Sequence, residues 1–127
     1  LRRERQDSPR AYFKGLNLLL NDQQDKAIDA FIEAVQHDPD TAELHFALGN
    51  LYARQGRWNE AQQAYFRAYT IDGENPDYQF NLAVSLEQLR QPKLALQYYQ
   101  GALAAASQRP AAFDRNQVAG RVSELQK

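Results

Sequence analysis

Residues 48–68 read Leu48-Gly49-Asn50-Leu51-Tyr52-Ala53-Arg54-Gln55-Gly56-Arg57-Trp58-Asn59-Glu60-Ala61-Gln62-Gln63-Ala64-Tyr65-Phe66-Arg67-Ala68. The small and aromatic residues of this stretch recur 34 residues away on both sides. Gly49 aligns with Gly15 and Ala83, Ala61 with Ala27 and Ala95, and Ala68 with Ala34 and Ala102. Tyr65 aligns with Phe31 and Tyr99, and Tyr52 with Leu18 and Leu86, while Asp72 matches Asp38 but meets Ala106 in the third copy. A fixed period of this size marks a stack of like supersecondary units, none of which buries its apolar face alone. Function then belongs to the surface that the stack shares.

Apolar periodicity and punctuation predict seven helices, at about 9–21, 25–37, 41–54, 58–71, 75–88, 92–105 and 111–126. Turn signals separate them: Asn21-Asp22, Asp38-Pro39-Asp40, Gly56, Asp72-Gly73, and Pro92, which suits a first helical turn because its missing N–H has no partner there anyway. Each unit reads as an antiparallel helix pair. Gly15, Gly49 and Ala83 let the two helices approach closely, and Phe31, Tyr65 and Tyr99 fill the space between neighbours. The expected fold class is all-α, an α-solenoid of three antiparallel helix pairs with a C-terminal capping helix. Its expected divisions are a linker end at 1–7, units at 8–41, 42–75 and 76–109, and the cap at 110–127.

The cap is inferred from a failure of register. Gln117 stands where the small residue should be, yet Phe113, Val118, Val122 and Leu125 give one apolar face. Arg115, Arg121, Glu124 and Lys127 suggest a polar outer side, as the end of a repeat stack requires. Gly120 costs this helix about 1 kcal/mol of propensity relative to Ala.

The period, the small residue early in each unit, the Ala-aromatic-Ala series and the Gln55-Gly56-Arg57 loop together resemble the tetratricopeptide repeat family. The second copy carries most of its signature: Leu48-Gly49-Asn50, Tyr52, Gly56, Trp58, Ala61, Tyr65 and Ala68. Ala11, His45 and Gln79 replace the family's early Trp, Lys14 its following Leu, and only Pro39 stands for its late Pro. The stretch from Gly15 to Phe31, with Asp22-Gln23-Gln24-Asp25-Lys26-Ala27, is similar to the repeats of a bacterial lipopolysaccharide-assembly regulator. The general pattern is also similar to pilus-assembly scaffolds.

Composition agrees with this reading. The chain of 127 residues is 43% hydrophobic and 24% charged, ordinary for one globular domain. Without Cys it has no disulfide framework, thiolate nucleophile or cysteine-based metal site. No apolar run approaches the roughly 20 residues that cross a bilayer, so no direct membrane insertion by this segment is expected. Leu1-Arg2-Arg3-Glu4-Arg5 lacks the apolar stretch of a signal peptide. The reading is a soluble segment, on the cytoplasmic or periplasmic side, and a membrane anchor elsewhere in the protein stays open. Net charge is −1, from 15 basic and 16 acidic residues, which argues against nucleic acid as a partner.

Catalytic chemistry finds no candidates. His37 and His45 occupy inter-helix positions where packing explains them, and a base or a metal would need converging groups that the pattern does not supply. Asp22 and Asp25 fit helix capping. The glycines are scattered, no phosphate loop occurs, and Gly101 has no account beyond close packing. No enzyme activity, cofactor or metal is expected.

The resemblance implies a concave face lined by the first helix of each pair. The first unit would contribute Tyr12, Phe13, Leu16 and Leu20, the second Phe46, Asn50 and Arg54. The third would contribute Phe80, Asn81 and Val84, and the cap Arg115. In Tyr12-Phe13-Lys14-Gly15-Leu16-Asn17-Leu18-Leu19-Leu20 there are more apolar residues than one seam uses. Such a floor is either a site for a partner's side chains or a surface covered by more protein upstream.

Family members that grip a peptide's carboxylate tail use two Asn on successive first helices, with Lys and Arg around them. Asn50, Asn81 and Arg115 occupy the Asn and Arg columns, while Phe46 and Ala111 replace the Lys residues. Asn amides also pair with a peptide backbone through donor and acceptor. The expected function is a non-catalytic protein-interaction scaffold that binds another protein or peptide. The alternative is a structural segment of a longer solenoid or a self-associating oligomer, in an envelope, lipopolysaccharide or pilus assembly system.

Overall fold

The computed structural model describes residues 2–20 and 23–127, with side chains at residues 9–18 and 23–127. The turn expected at Asn21-Asp22 lies outside the described residues. Seven helices stand among them: α1 Arg2–Leu20, α2 Gln24–His37, α3 Ala42–Arg54, α4 Trp58–Ile71, α5 Pro76–Gln88, α6 Pro92–Ala106 and α7 Arg115–Leu125. The order is that of an all-α solenoid.

Two boundaries differ from the sequence expectation for local reasons. α1 takes in residues 2–7, which the sequence reading sets aside as a linker end, and Pro9 lies within it. Proline removes one intrahelical N–H, and the residues before it are otherwise compatible with helix. α7 starts at Arg115 rather than 111 because Asp114 caps it: its Oδ1 accepts from the backbone N–H groups of Asn116 at 2.8 Å and Gln117 at 3.2 Å. Pro110–Phe113 is therefore a connecting loop.

Elsewhere the termini follow the turn chemistry. Asn75 caps α5 by accepting from the Asp77 N–H at 3.0 Å, and Pro76 and Pro92 open their helices. Gly56 ends the α3 turn with φ +71°, a conformation that Gly adopts freely. The equivalent residue after α5 is Arg90, and it adopts φ +61°.

Packing alternates along the chain. Within the pairs α1/α2, α3/α4 and α5/α6 the glycine columns close the seam: a Cβ on Gly15 would stand 2.6 Å from the Phe31 ring, and one on Gly49 2.7 Å from the Tyr65 ring. Phe31, Tyr65 and Tyr99 are buried, as are Ala27, Ala61 and Ala95. Successive first helices lie side by side, since Phe46 of α3 meets Tyr78 of α5 with ring centroids 4.9 Å apart. The second helices do the same where Tyr69 of α4 meets Tyr98 of α6 at 5.3 Å. The result is two layers, α1, α3, α5 and α7 on one side and α2, α4 and α6 on the other. Asp72, at the end of α4, receives two bonds from Arg109 after α6, at 2.9 and 3.0 Å, tying the second-layer ends together.

Gly101 has a definite packing partner. A Cβ there would come within 2.0 Å of Gln79 Oε1, and Gln79 is buried at 8% exposure with its Nε2 donating to the Gly73 carbonyl at 3.1 Å. The missing side chain on α6 makes room for a buried amide on α5. His45 is likewise structural, with Nε2 2.7 Å from the Pro39 carbonyl oxygen. Asp25 bonds to Gln55 Nε2 at 2.8 Å, across the first two units, rather than capping α2.

Candidate functional site

The layer of first helices presents a strip of half-buried aromatic and apolar side chains with polar residues along it. At the α1 end, Phe13 is 67% exposed, the largest exposure among the large apolar residues described. Tyr12 stands edge-on to both Phe13 and Phe31, at 5.9 and 5.7 Å, and Leu16 packs half-buried against the first core cluster. The side chain of Leu20 lies outside the described residues.

In the middle, Phe46 is half-buried between Tyr65 and Tyr78, with centroids 5.7 and 4.9 Å away. Asn50 is already engaged: its Oδ1 accepts from the Tyr65 hydroxyl at 2.7 Å. Burial pushes the Tyr65 hydroxyl pKa up, so the group stays a donor throughout the neutral range. Asn81 donates through Nδ2 to the Asp77 carbonyl at 2.8 Å. Arg54 ends α3 exposed, and Val84 packs half-buried on α5.

At the α7 end, Phe80 stacks on Phe113, with centroids 4.9 Å apart and planes inclined by 22°. Arg115 is exposed on the first turn of α7. Arg121, expected on the outer side of the cap, instead faces α5: its Nε lies 2.9 and 3.1 Å from the two Glu87 oxygens, and Nη2 also bonds Oε2. Tyr99 donates its hydroxyl to the same carboxylate at 2.8 Å. Arg121 holds the Glu87 pKa below the usual glutamate range, partial burial opposes it, and the Tyr99 bond adds to the lowering. A cavity of about 160 Å³ opens beside this cluster, floored by Phe80, Tyr99, Phe113 and Val118 and rimmed by Asp114, Gln117 and Arg121.

Sequence reasoning missed Phe113, Gln117 and Arg121 as parts of this face. Phe46 and Phe80 share a repeat column whose next member is Asp114; the ring arrives one residue early, in the loop. Glu87 and Arg121 are 34 residues apart, so opposite charges in one column were the signal that could have found the pair.

The TPR repeat family model matches residues 15–56 and 49–89, more than half of the chain. The chain belongs to the TPR repeat family. Lipopolysaccharide assembly protein B of Escherichia coli strain K12 is 44% identical over 52 residues, which are 41% of this chain and 13% of that protein. The chain thus spans about an eighth of the length of the curated relatives it matches. Among solved TPR-like structures, PcrH in complex with the chaperone-binding region of PopD superposes with a TM-score of 0.82 at 22% identity, over 93% of this chain and 90% of that one. The first TPR of Spaghetti (RPAP3), bound to the HSP90 peptide SRMEEVD, superposes with a TM-score of 0.80 at 15% identity, over 95% and 91%. At these identities the likeness establishes the TPR fold. Among the described residues no group of three or more His, Asp or Glu could hold a metal ion, and no helix is long and apolar enough to cross a membrane.

Proposed function

We propose that this TPR chain is a non-catalytic scaffold whose first-helix face binds a peptide or helix of another protein. One observation carries the reading: Phe13, Phe46 and Phe80 stand on successive first helices of one layer, the first exposed and the other two half-buried. Isolated exposed apolar residues need no explanation, but aromatic rings repeated on each first helix of one layer favour an interaction surface there. PcrH and the RPAP3 domain, with the same fold, hold protein or peptide partners in their structures.

Apolar side chains of the partner contact Tyr12, Phe13, Leu16 and Phe46, with Leu20, Val84 and Phe80 continuing the strip. Asn50, Asn81, Arg54 and Arg115 meet its polar groups. Because Asn50 and Asn81 each already hold one bond within the domain, they orient a ligand with their remaining amide atoms and contribute less than the aromatic anchors.

The test is capture of a partner by the whole chain, followed by affinity measurement on variants. Phe46→Ala is expected to weaken binding by about 2 kcal/mol or more, and Asn50→Ala by about 1 kcal/mol. Tyr65→Phe removes the hydroxyl that holds Asn50 without touching the strip, and separates loss of orientation from loss of contact. Gln62→Ala, on the second layer, is expected to change little. Binding that ignores Phe46 but responds to second-layer changes would end the proposal.

A second reading has its own support. The similarity to lipopolysaccharide assembly protein B, of which this chain spans 13%, favours a structural segment of a longer solenoid or self-associating assembly. There Phe13 packs against protein rather than ligand. Molar mass by light scattering distinguishes the two: a concentration-dependent oligomer abolished by Phe13→Ser supports the second reading, and a monomer supports the first.

A further inference from the structure

We infer that the cavity between α5 and α7 is an anchor pocket for one aromatic side chain of a partner peptide. The inference rests on the groove reading above and names the chemistry that one end of the groove selects.

Size and lining come first. The cavity measures about 160 Å³, and a dry apolar cavity of roughly 150 Å³ takes a benzene ring. Its floor is three aromatic rings and Val118, so an incoming ring gains edge or offset contacts beyond the area it buries.

The walls are preorganised. Phe80 and Phe113 already stack on each other, and the Tyr99 hydroxyl is fixed to Glu87. The loop that carries Phe113 is pinned where the Ala112 N–H donates to Asp77 Oδ1 at 2.9 Å. A pocket held open in this way orders few side chains when it is filled, which favours affinity.

Charge then decides against an acidic occupant. The guanidinium at the rim is committed to Glu87, and the rim also carries the Asp114 carboxylate, which caps α7. A carboxylate entering here meets an ion pair without net charge and the Asp114 carboxylate, so nothing offsets its loss of hydration, whereas a neutral ring has little hydration to lose. Gln117 is exposed at the rim and offers an amide donor and acceptor to the backbone flanking the anchor. The occupant is therefore an internal peptide segment carrying Phe or Tyr, not an acidic C-terminal tail.

The experiment titrates the full chain with N-acetyl-phenylalaninamide, and in parallel with N-acetyl-aspartamide, following backbone amides by NMR. Saturable shifts at Phe113, Gln117 and Val118 are expected with the aromatic probe alone. Gln117→Trp, which fills the mouth from an exposed position, is expected to weaken that binding about tenfold or more, equivalent to 1.4 kcal/mol. Gln117→Ala removes the amide without filling the mouth and is expected to weaken binding less than Gln117→Trp does, while Gln62→Ala, on α4 away from the pocket, is the control expected to stay within about threefold. Absence of saturable shifts at these amides overturns the pocket, as does equal binding of the aspartyl probe or indifference to Gln117→Trp. Shifts confined to Tyr12, Phe13 and Phe46 overturn the pocket while leaving the groove reading intact. A partner that binds the second layer, in a chain whose pocket still takes the ring, removes the groove reading instead.

Discussion

A Cβ built on Gly49 would stand 2.7 Å from two ring carbons of Tyr65, closer than carbon atoms approach without displacement. The same relation joins Gly15 to Phe31 at 2.6 Å, so a glycine on the first helix and an aromatic ring on the second form a repeated joint. Backbone lies on one side of the contact and a buried ring on the other, and neither has room to move.

Gly49→Leu is expected to destabilise the fold by about 1–3 kcal/mol or more through overpacking. Ala61, fully buried on α4, behaves the same way with a bulky replacement. Gly120→Ala is the contrast: nothing lies within 4 Å of its added Cβ, so helix propensity alone acts and the gain is about 1 kcal/mol. Urea denaturation midpoints compare the three, and equal midpoints would refute the joint.

Gly101→Ala is expected to destabilise by about 1–3 kcal/mol, because the new methyl displaces the Gln79 amide and breaks its bond to the Gly73 carbonyl. Combining it with Gln79→Ala restores room for the methyl. A double-mutant cycle should give a coupling of about 0.5–3 kcal/mol, and simple additivity would contradict the contact.

Arg90→Gly is expected to stabilise the domain by about 0.5–1 kcal/mol. Arg90 holds φ +61°, where a side chain costs roughly 1–2 kcal/mol and glycine does not, although glycine loses more freedom on folding. Gly56, at the same place one unit earlier, shows the preferred solution. Thermal unfolding of the variant measures the sign.

The Glu87–Arg121 pair predicts a pH dependence. Glu87 has a lowered pKa in the folded chain, so the pair's contribution is fully present above the ordinary glutamate range and is lost as pH falls through the lowered folded value. Arg121→Ala is expected to raise the Glu87 pKa, seen by NMR titration. It should cost no more than about 1 kcal/mol at neutral pH, since the guanidinium is half-exposed and screened. In acid, with Glu87 protonated in both proteins, the difference should vanish; a difference that grew in acid would contradict the assignment.

The legible part of the proposed face was the part written in the period. Phe46 and Phe80 could be placed on one face because they occupy one column, and the structure has them along the same layer. Asn50 and Asn81 were legible as polar residues of that face, but their existing bonds were not, since the Tyr65 hydroxyl reaches Asn50 from the paired helix. Phe113 was hidden because the Asp114 cap starts α7 late and leaves the ring in a loop, off register. Arg121 was assigned to the outer side as a surface arginine on a capping helix, although Glu87, 34 residues earlier in the same column, carried the mark of its partner.

By itself the sequence determined the helices, their pairing and the small-to-aromatic joints, because these depend on local periodicity and on a spacing repeated three times. Only the tertiary structure decided what happens between columns. Gln79 fills the notch at Gly101, Tyr99 and Arg121 converge on Glu87, and Phe113 closes a cavity with Phe80. These contacts depend on how far α7 is rotated and how its loop enters, which are set by the packing of whole helices. Residue spacing alone carries no term for either.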